Sequence, residues 1–285
     1  MKTKTVLTLV LLSIAVLFLA PGCQEEPGPA PQLPPASSMI MDLDFGGHQQ
    51  AGIVGEKTLE VSFFAIAYTN VRFWATVATL HSAIPATAFE MALQKTPVWN
   101  DDLKVWIWSY DVPFDGVTYE AELKGKIVND SLKWEMYLSV KNATVLQDLL
   151  WFSGKSHYGR TGGWWVLNSP IVEGPLDVSM QPALKVTWSY TNETVNSLKY
   201  TYVAELVPVQ EGVTEYIPNN AKGSFIEFGR VNDTKFDAYF TIHSTERNEG
   251  YSILWNTSTN AGKITKAGTS FQGCWNSNLV NAPCE

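Results

Sequence analysis

The feature that most constrains this chain is a stretch written twice. Residues 103–168 open Leu103, Lys104, Val105, Trp106, Ile107, Trp108, Ser109, Tyr110; residues 184–256 open Leu184, Lys185, Val186, Thr187, Trp188, Ser189, Tyr190. Tyr119, Ala121, Glu122 and Leu123 are then answered by Tyr202, Ala204, Glu205 and Leu206. Gly125, Val128, Asn129, Asp130, Lys133, Trp134 and Tyr137 are answered by Gly229, Val231, Asn232, Asp233, Lys235, Phe236 and Tyr239. Ordered matches of this kind point to a duplicated supersecondary unit. Its period is that of strands: Leu132, Trp134, Met136, Leu138 and Val140 alternate with Lys133, Glu135, Tyr137, Ser139 and Lys141, the pattern of a half-buried antiparallel strand. Asp115 with Gly116, Asn129 with Asp130, and Asn232 with Asp233 supply turns between strands. The expected fold is mainly β: an antiparallel duplicated meander forming a strongly curved sheet or incomplete barrel, with one or two N-terminal helices packed on it.

Those helices come from the run ahead of the repeat. Between Thr58 and Leu80 nearly every residue is apolar, while Thr69, Arg72, Thr76 and Thr79 recur at three-and-four spacing. That places one narrow polar stripe on a helix buried elsewhere. Glu60, Asn70 and Arg72 interrupt the run and argue against a membrane span. Pro85 suits the first turn of a second helix reaching Gln94. A sheet curved round such a helix leaves an apolar space, and Phe63, Trp74, Trp134 and Trp188 are the residues expected to line it as binding residues for an apolar or lipid ligand.

At the N-terminus, Lys2 and Lys4 precede an apolar run from Val6 to Ala20, which has the layout of an export signal. It ends Leu19, Ala20, Pro21, Gly22, Cys23. This ending resembles the lipobox of bacterial lipoproteins, although Leu19 stands one place further from the cysteine than that family's leucine. The resemblance covers residues 1–23 and implies a signal peptide over 1–22, lipidation at Cys23 and attachment to a membrane through the lipid. Gln24, rather than Asp, behind the cysteine implies the outer membrane of a Gram-negative bacterium. Glu25, Glu26 and the prolines at 27, 29, 31, 34 and 35 then read as a Pro-rich acidic tether over 23–38. The single β-rich domain is expected over 39–285.

Charge and chemistry narrow the function by exclusion. Twenty basic residues stand against 28 acidic ones, for a net charge of −8, and loss of Lys2 and Lys4 with the signal makes the mature chain more acidic still; nucleic acid is a poor partner for it. With Cys23 assigned to lipid, Cys274 and Cys284 remain for a disulfide, which an oxidising envelope permits. The four histidines, His48, His81, His157 and His243, sit in no metal-binding or catalytic spacing, and no cofactor fingerprint is present. No metal, cofactor or catalytic residue is expected. Glu122 and Glu205, in equivalent places of the repeat, are the pair of carboxylates that a duplicated fold can place across one cleft for acid–base work; retention from an ancestral unit is the simpler account. Adjacent Trp164 and Trp165 must point to opposite faces of a strand. The expected function is a non-catalytic cell-envelope lipoprotein that binds or carries an apolar ligand; the alternative is a surface-exposed structural or glycan- or protein-interaction module.

Overall fold

A computed structural model describes residues 28–40, 62–143, 146–174, 177–191, 194–210 and 214–284. Cys23 and the signal segment lie outside the described residues, as does His48. One compact unit spans Pro31–Glu285.

The chain is mainly strand. After a 3-10 turn (Ala36–Ser38) and one helix, α1 (Phe63–Ala92), come β1 (Val98–Asn100), β2 (Val105–Phe114), β3 (Val117–Val128), β4 (Ser131–Val140), β5 (Leu149–His157), β6 (Gly162–Gly174), β7 (Asp177–Thr191) and β8 (Thr194–Tyr202). A small hairpin follows, β9 (Leu206–Pro208) with β10 (Tyr216–Pro218). The main sheet then resumes with β11 (Phe225–Arg230), β12 (Ala238–Ser244), β13 (Glu249–Trp255), β14 (Gly262–Lys266), β15 (Gln272–Trp275) and β16 (Asn281–Ala282). These form one antiparallel sheet of 14 strands, each paired with its neighbours in chain order once β9 and β10 are set aside. The sheet does not close into a barrel. Its edges, β1 and β16, are three and two residues long, short enough to offer little template for another chain.

The sheet curves round α1. Tyr110 of β2 donates its hydroxyl to the Ala88 carbonyl, while the next helical residue, Phe89, meets Phe152 of β5 and Trp165 of β6 edge to face at 6.1 and 5.3 Å. On a flat sheet β2 lies roughly 14 to 19 Å from β5 and β6, more than the width of a helix. The other end of α1 meets β14 and β15, with Phe64 against Trp275 at 5.8 Å. The helix therefore runs across the strands on the concave side.

Helix α1 is continuous for 30 residues and contains Pro85, where sequence favoured the start of a second helix. A proline inside a helix costs about 3 kcal/mol; here Ala86, Ala88, Phe89 and Ala92, all buried beyond it, hold the last turns on the sheet. Ser62 caps the N-terminus by accepting from the Ala65 amide, and the Phe63 amide is satisfied by Asn281 Oδ1 from β16. Thr69, Arg72, Thr76 and Thr79 are all exposed, so the polar stripe lies where the spacing put it.

One boundary is corrected. The folded unit begins at Pro31, inside the segment read as a tether over 23–38. Pro31, Pro34, Ser38 and Met39 are buried. Ser38 Oγ accepts from the Trp165 indole at 3.1 Å, and the Met39 carbonyl accepts from Tyr200 Oη at 2.7 Å. The segment is too poor in apolar side chains to build a core of its own, yet Ser38 within it and Met39 just after it supply the acceptors that two large rings of the sheet need once buried.

Strand glycines oppose rings. Gly125 pairs with Trp134, Gly154 with Trp165, Gly163 with Trp188 and Gly262 with Trp275. A Cβ on Gly154 would sit 2.2 Å from the Trp165 ring and 2.7 Å from the Trp164 carbonyl oxygen. The indoles lie flat over the space a side chain would fill, which is how a sheet carries so many tryptophans on one face.

Candidate functional site

The residues named by sequence for an apolar site are distributed through this core. Trp134 is fully buried and donates from Nε1 to Ser156 Oγ at 2.9 Å. Phe63, at the first turn of α1, packs on Phe271, with its ring where a Gly273 side chain would be. Trp74 lies three helical turns further along α1 and is 8% exposed. Trp188 is buried on β7 against Gly163, and its indole nitrogen has no acceptor among the described residues. Trp164 and Trp165 do face opposite ways: Trp165 is buried, while Trp164 is half-buried with Lys185 Nζ 5.9 Å from its ring.

Glu122 and Glu205 do not share a cleft. Glu122 is on the outward face of β3 and pairs with Lys124 at 2.8 Å; Glu205 lies between β8 and β9 and pairs with Lys222. The reason is register. Trp108 is opposite Leu123 across β2 and β3, and Trp188 is opposite Leu198 across β7 and β8. The structural counterpart of Leu123 is thus Leu198, so the Tyr-x-Ala-Glu-Leu motif falls in mid-strand in one copy and at the strand end in the other. Phe236, aligned in sequence with buried Trp134, likewise stands half-buried before β12 begins.

The Cys274 and Cys284 sulfurs are joined, with Cα atoms 5.3 Å apart. The bond fastens the chain after β16 to β15, where the sheet would otherwise end in a two-residue strand. Among the described residues no group of three or more His, Cys, Asp or Glu side chains is arranged to hold a metal. No helix among them is long and apolar enough to cross a membrane.

Two adjoining clefts are walled by described residues. The larger, ≈ 980 Å³, is walled by Gln32, the β5–β6 turn (Tyr158, Gly159, Arg160, Thr161) and the end of β7 (Ser189, Tyr190, Thr191). The smaller, ≈ 500 Å³, is walled by Ser189, Asn196, Ser197, Arg230, Val231, Asn232 and Tyr239. They meet at Ser189, which alternates with buried Trp188 and so faces away from α1. The β7–β8 register shifts between Ser189 and Tyr190; a bulge there turns consecutive side chains toward one place.

Arg160 holds a left-handed backbone (φ 58°) in the β5–β6 turn. Its Nη1 donates to Gln32 Oε1 at 3.3 Å, its Nε is buried without a partner, and among the described residues no carboxylate lies within ion-pair distance. Arg230 pairs with Asp237 at 3.6 Å. In the smaller cleft Tyr239 donates its hydroxyl to Glu227 at 2.8 Å, and loss of hydration followed by the adjacent Glu227 carboxylate pushes its pKa up to about 12. It therefore stays a neutral hydroxyl at any physiological pH.

Sequence reasoning missed these residues, though one signal was available. The chain has only four arginines, Arg72, Arg160, Arg230 and Arg247, and two of them line the joined clefts. No protein-family model, no curated protein and no solved structure matches this chain.

Proposed function

We propose that this protein is a non-catalytic, lipid-anchored envelope protein that binds a polar ligand on the outside of its sheet. The observation that carries this reading is the contrast between the concave side, packed with buried rings, and the joined clefts, which are open and lined by hydroxyl, amide and guanidinium groups. A binding site needs a few convergent polar groups to fix a ligand; the clefts have them. Anchoring rests on the lipobox-like ending at Cys23, and Gln24 behind it favours the outer membrane.

Two measurements test the reading. Mass spectrometry of the membrane-extracted protein is expected to give an acylated glyceryl-cysteine at position 23; an unmodified N-terminus elsewhere would overturn the anchor. A soluble Cys23→Ala form, exported by an ordinary secretory signal, is expected to co-sediment with isolated envelope material, and failure to do so would overturn the binding reading.

An apolar ligand beneath the sheet is the second reading, favoured by the Trp188 indole, a buried donor with no described acceptor. An acyl ester carbonyl would supply one, with its chains among neighbouring rings. Native mass spectrometry of the same soluble form decides it: a retained lipid mass supports the reading, and a ligand-free spectrum removes it.

A further inference from the structure

We infer that the joined clefts take an acidic oligosaccharide, with Arg160 receiving a uronate carboxylate. The inference rests on the outer-surface reading above and names the ligand class of that site. Three observations lead to it.

The first is charge. The chain carries 28 acidic residues against 20 basic, yet no Asp or Glu is among the described residues that wall the larger cleft, which includes Arg160; in the smaller cleft Arg230 and Tyr239 already engage Asp237 and Glu227. A local cation left without a carboxylate on an acidic surface selects for anions brought from outside. Arg160 is the less committed of the two, since its only described side-chain bond is to the neutral Gln32 amide. A guanidinium fork matches a planar carboxylate better than a point charge does.

The second is the rest of the lining. Thr161, Ser189, Thr191, Ser197 and Asn196 offer donors and acceptors at short spacing, and several are already positioned by one another: Ser189 Oγ and Ser197 Oγ are 2.8 Å apart, and Asn196 Nδ2 donates to Thr191 Oγ1. Such a set exchanges hydrogen bonds with a polyhydroxylated ligand and has little use for an acyl chain. Tyr158, 58% exposed at the rim, offers a ring face for the apolar side of a sugar and a hydroxyl for its edge.

The third is extent. Two clefts that share Ser189 form one track with an arginine at each part. A single small anion uses only the Arg160 guanidinium, whereas a chain of sugars also reaches the Ser197, Asn196 and Asn232 side chains of the smaller cleft.

Isothermal titration of the full-length Cys23→Ala protein with galacturonate and mannuronate tetramers tests the proposal, with a neutral galactose tetramer and inorganic phosphate as controls. At least one uronate tetramer is expected to bind at least tenfold more tightly than either control and to weaken as salt rises. Arg160→Gln is expected to cost the uronate tetramer about tenfold or more, a charged hydrogen bond's usual worth, and Arg160→Lys less. Asn232→Ala is expected to weaken the uronate tetramer about threefold and leave binding of the galacturonate monomer, titrated alongside, unchanged. Among the described residues the Arg160 side chain makes only the bond to Gln32, so urea midpoints of its variants are expected to match the parent and to separate binding loss from misfolding. Equal binding of the neutral tetramer, equal binding of phosphate, an unaltered Arg160→Gln titration or no binding of any probe would each overturn the acidic-saccharide assignment. Retention of envelope co-sedimentation in those cases would leave the outer-surface reading standing.

Discussion

The two faces of the sheet are held by different physics. On the concave face Trp134, Trp165 and Phe152 are fully buried, the rings of Trp165 and Phe152 meet Phe89 and each other at 5.3 to 6.1 Å, Trp134 meets Trp108 at 5.9 Å, and glycines stand opposite the indoles. On the convex face lysines pair with acids along and across strands: Lys124 with Glu122 at 2.8 Å, Lys133 with Glu135 at 2.7 Å, Lys141 with Asp111 at 2.6 Å. Ring burial stabilises by several kcal/mol per side chain, whereas exposed ion pairs contribute about 0 to 1 kcal/mol. Substitution is therefore costly on one face and nearly free on the other.

The largest effect that would break this contrast comes from the smallest change. Gly154→Ala adds one methyl group against the Trp165 ring and the Trp164 carbonyl, and is expected to cost about 3 kcal/mol or to prevent folding. An unchanged urea midpoint would show that the concave face has slack. Next is the joint Cys274→Ser, Cys284→Ser variant, which releases a loop with a sequence separation of 10; the expected loss is about 2 to 3 kcal/mol, read as a lower denaturation midpoint under non-reducing conditions. Ser38→Ala removes the acceptor of the Trp165 indole. It is expected to cost about 1 to 2 kcal/mol and to speed amide exchange of residues 31–39 ahead of the sheet, an effect absent if that segment is only a tether.

Smaller still is Glu122→Gln on the convex face, expected to shift stability by under about 1 kcal/mol and by less in high salt. The last separates the faces by titration. Burial lifts the Tyr110 phenol far above its ordinary range, and Tyr239 on the other face only to about 12. A tyrosine pKa raised in the folded state stabilises fully below the unfolded value near 10, and that contribution is lost as pH rises through the folded one. Tyr239 therefore supports the fold up to about pH 10 and ceases to by about pH 12. Ultraviolet titration of Tyr239→Phe against the parent is expected to remove a late-titrating phenol; loss of an early one would overturn the assignment.

Much of the architecture was legible because strand alternation and helix spacing are local signals. Leu132, Trp134, Met136 and Leu138 point inward as their period demands, and the stripe from Thr69 to Thr79 faces out. Long-range register was less legible. The matched Glu122 and Glu205 parted company because pairing follows Trp108 with Leu123 and Trp188 with Leu198, and a motif can be kept in sequence while sliding along its strand. The clefts were not legible at all: Gln32, Arg160, Ser189 and Asn232 are drawn from four separate stretches, and nothing local marks them as neighbours.

Sequence by itself determined the strand periodicity, the apolar helix with its polar stripe, the acidic balance and the cysteines available to pair, since each depends on residue type at fixed spacing. Tertiary structure decided that the helix continues through Pro85, that residues 31–39 are part of the core, that rings need glycines opposite them, and that two arginines share one polar track. The physical reason is that these depend on which surfaces meet after the sheet curves: a buried indole needs an acceptor and a buried ring needs an empty space, but the chain may supply either from any distance along its length.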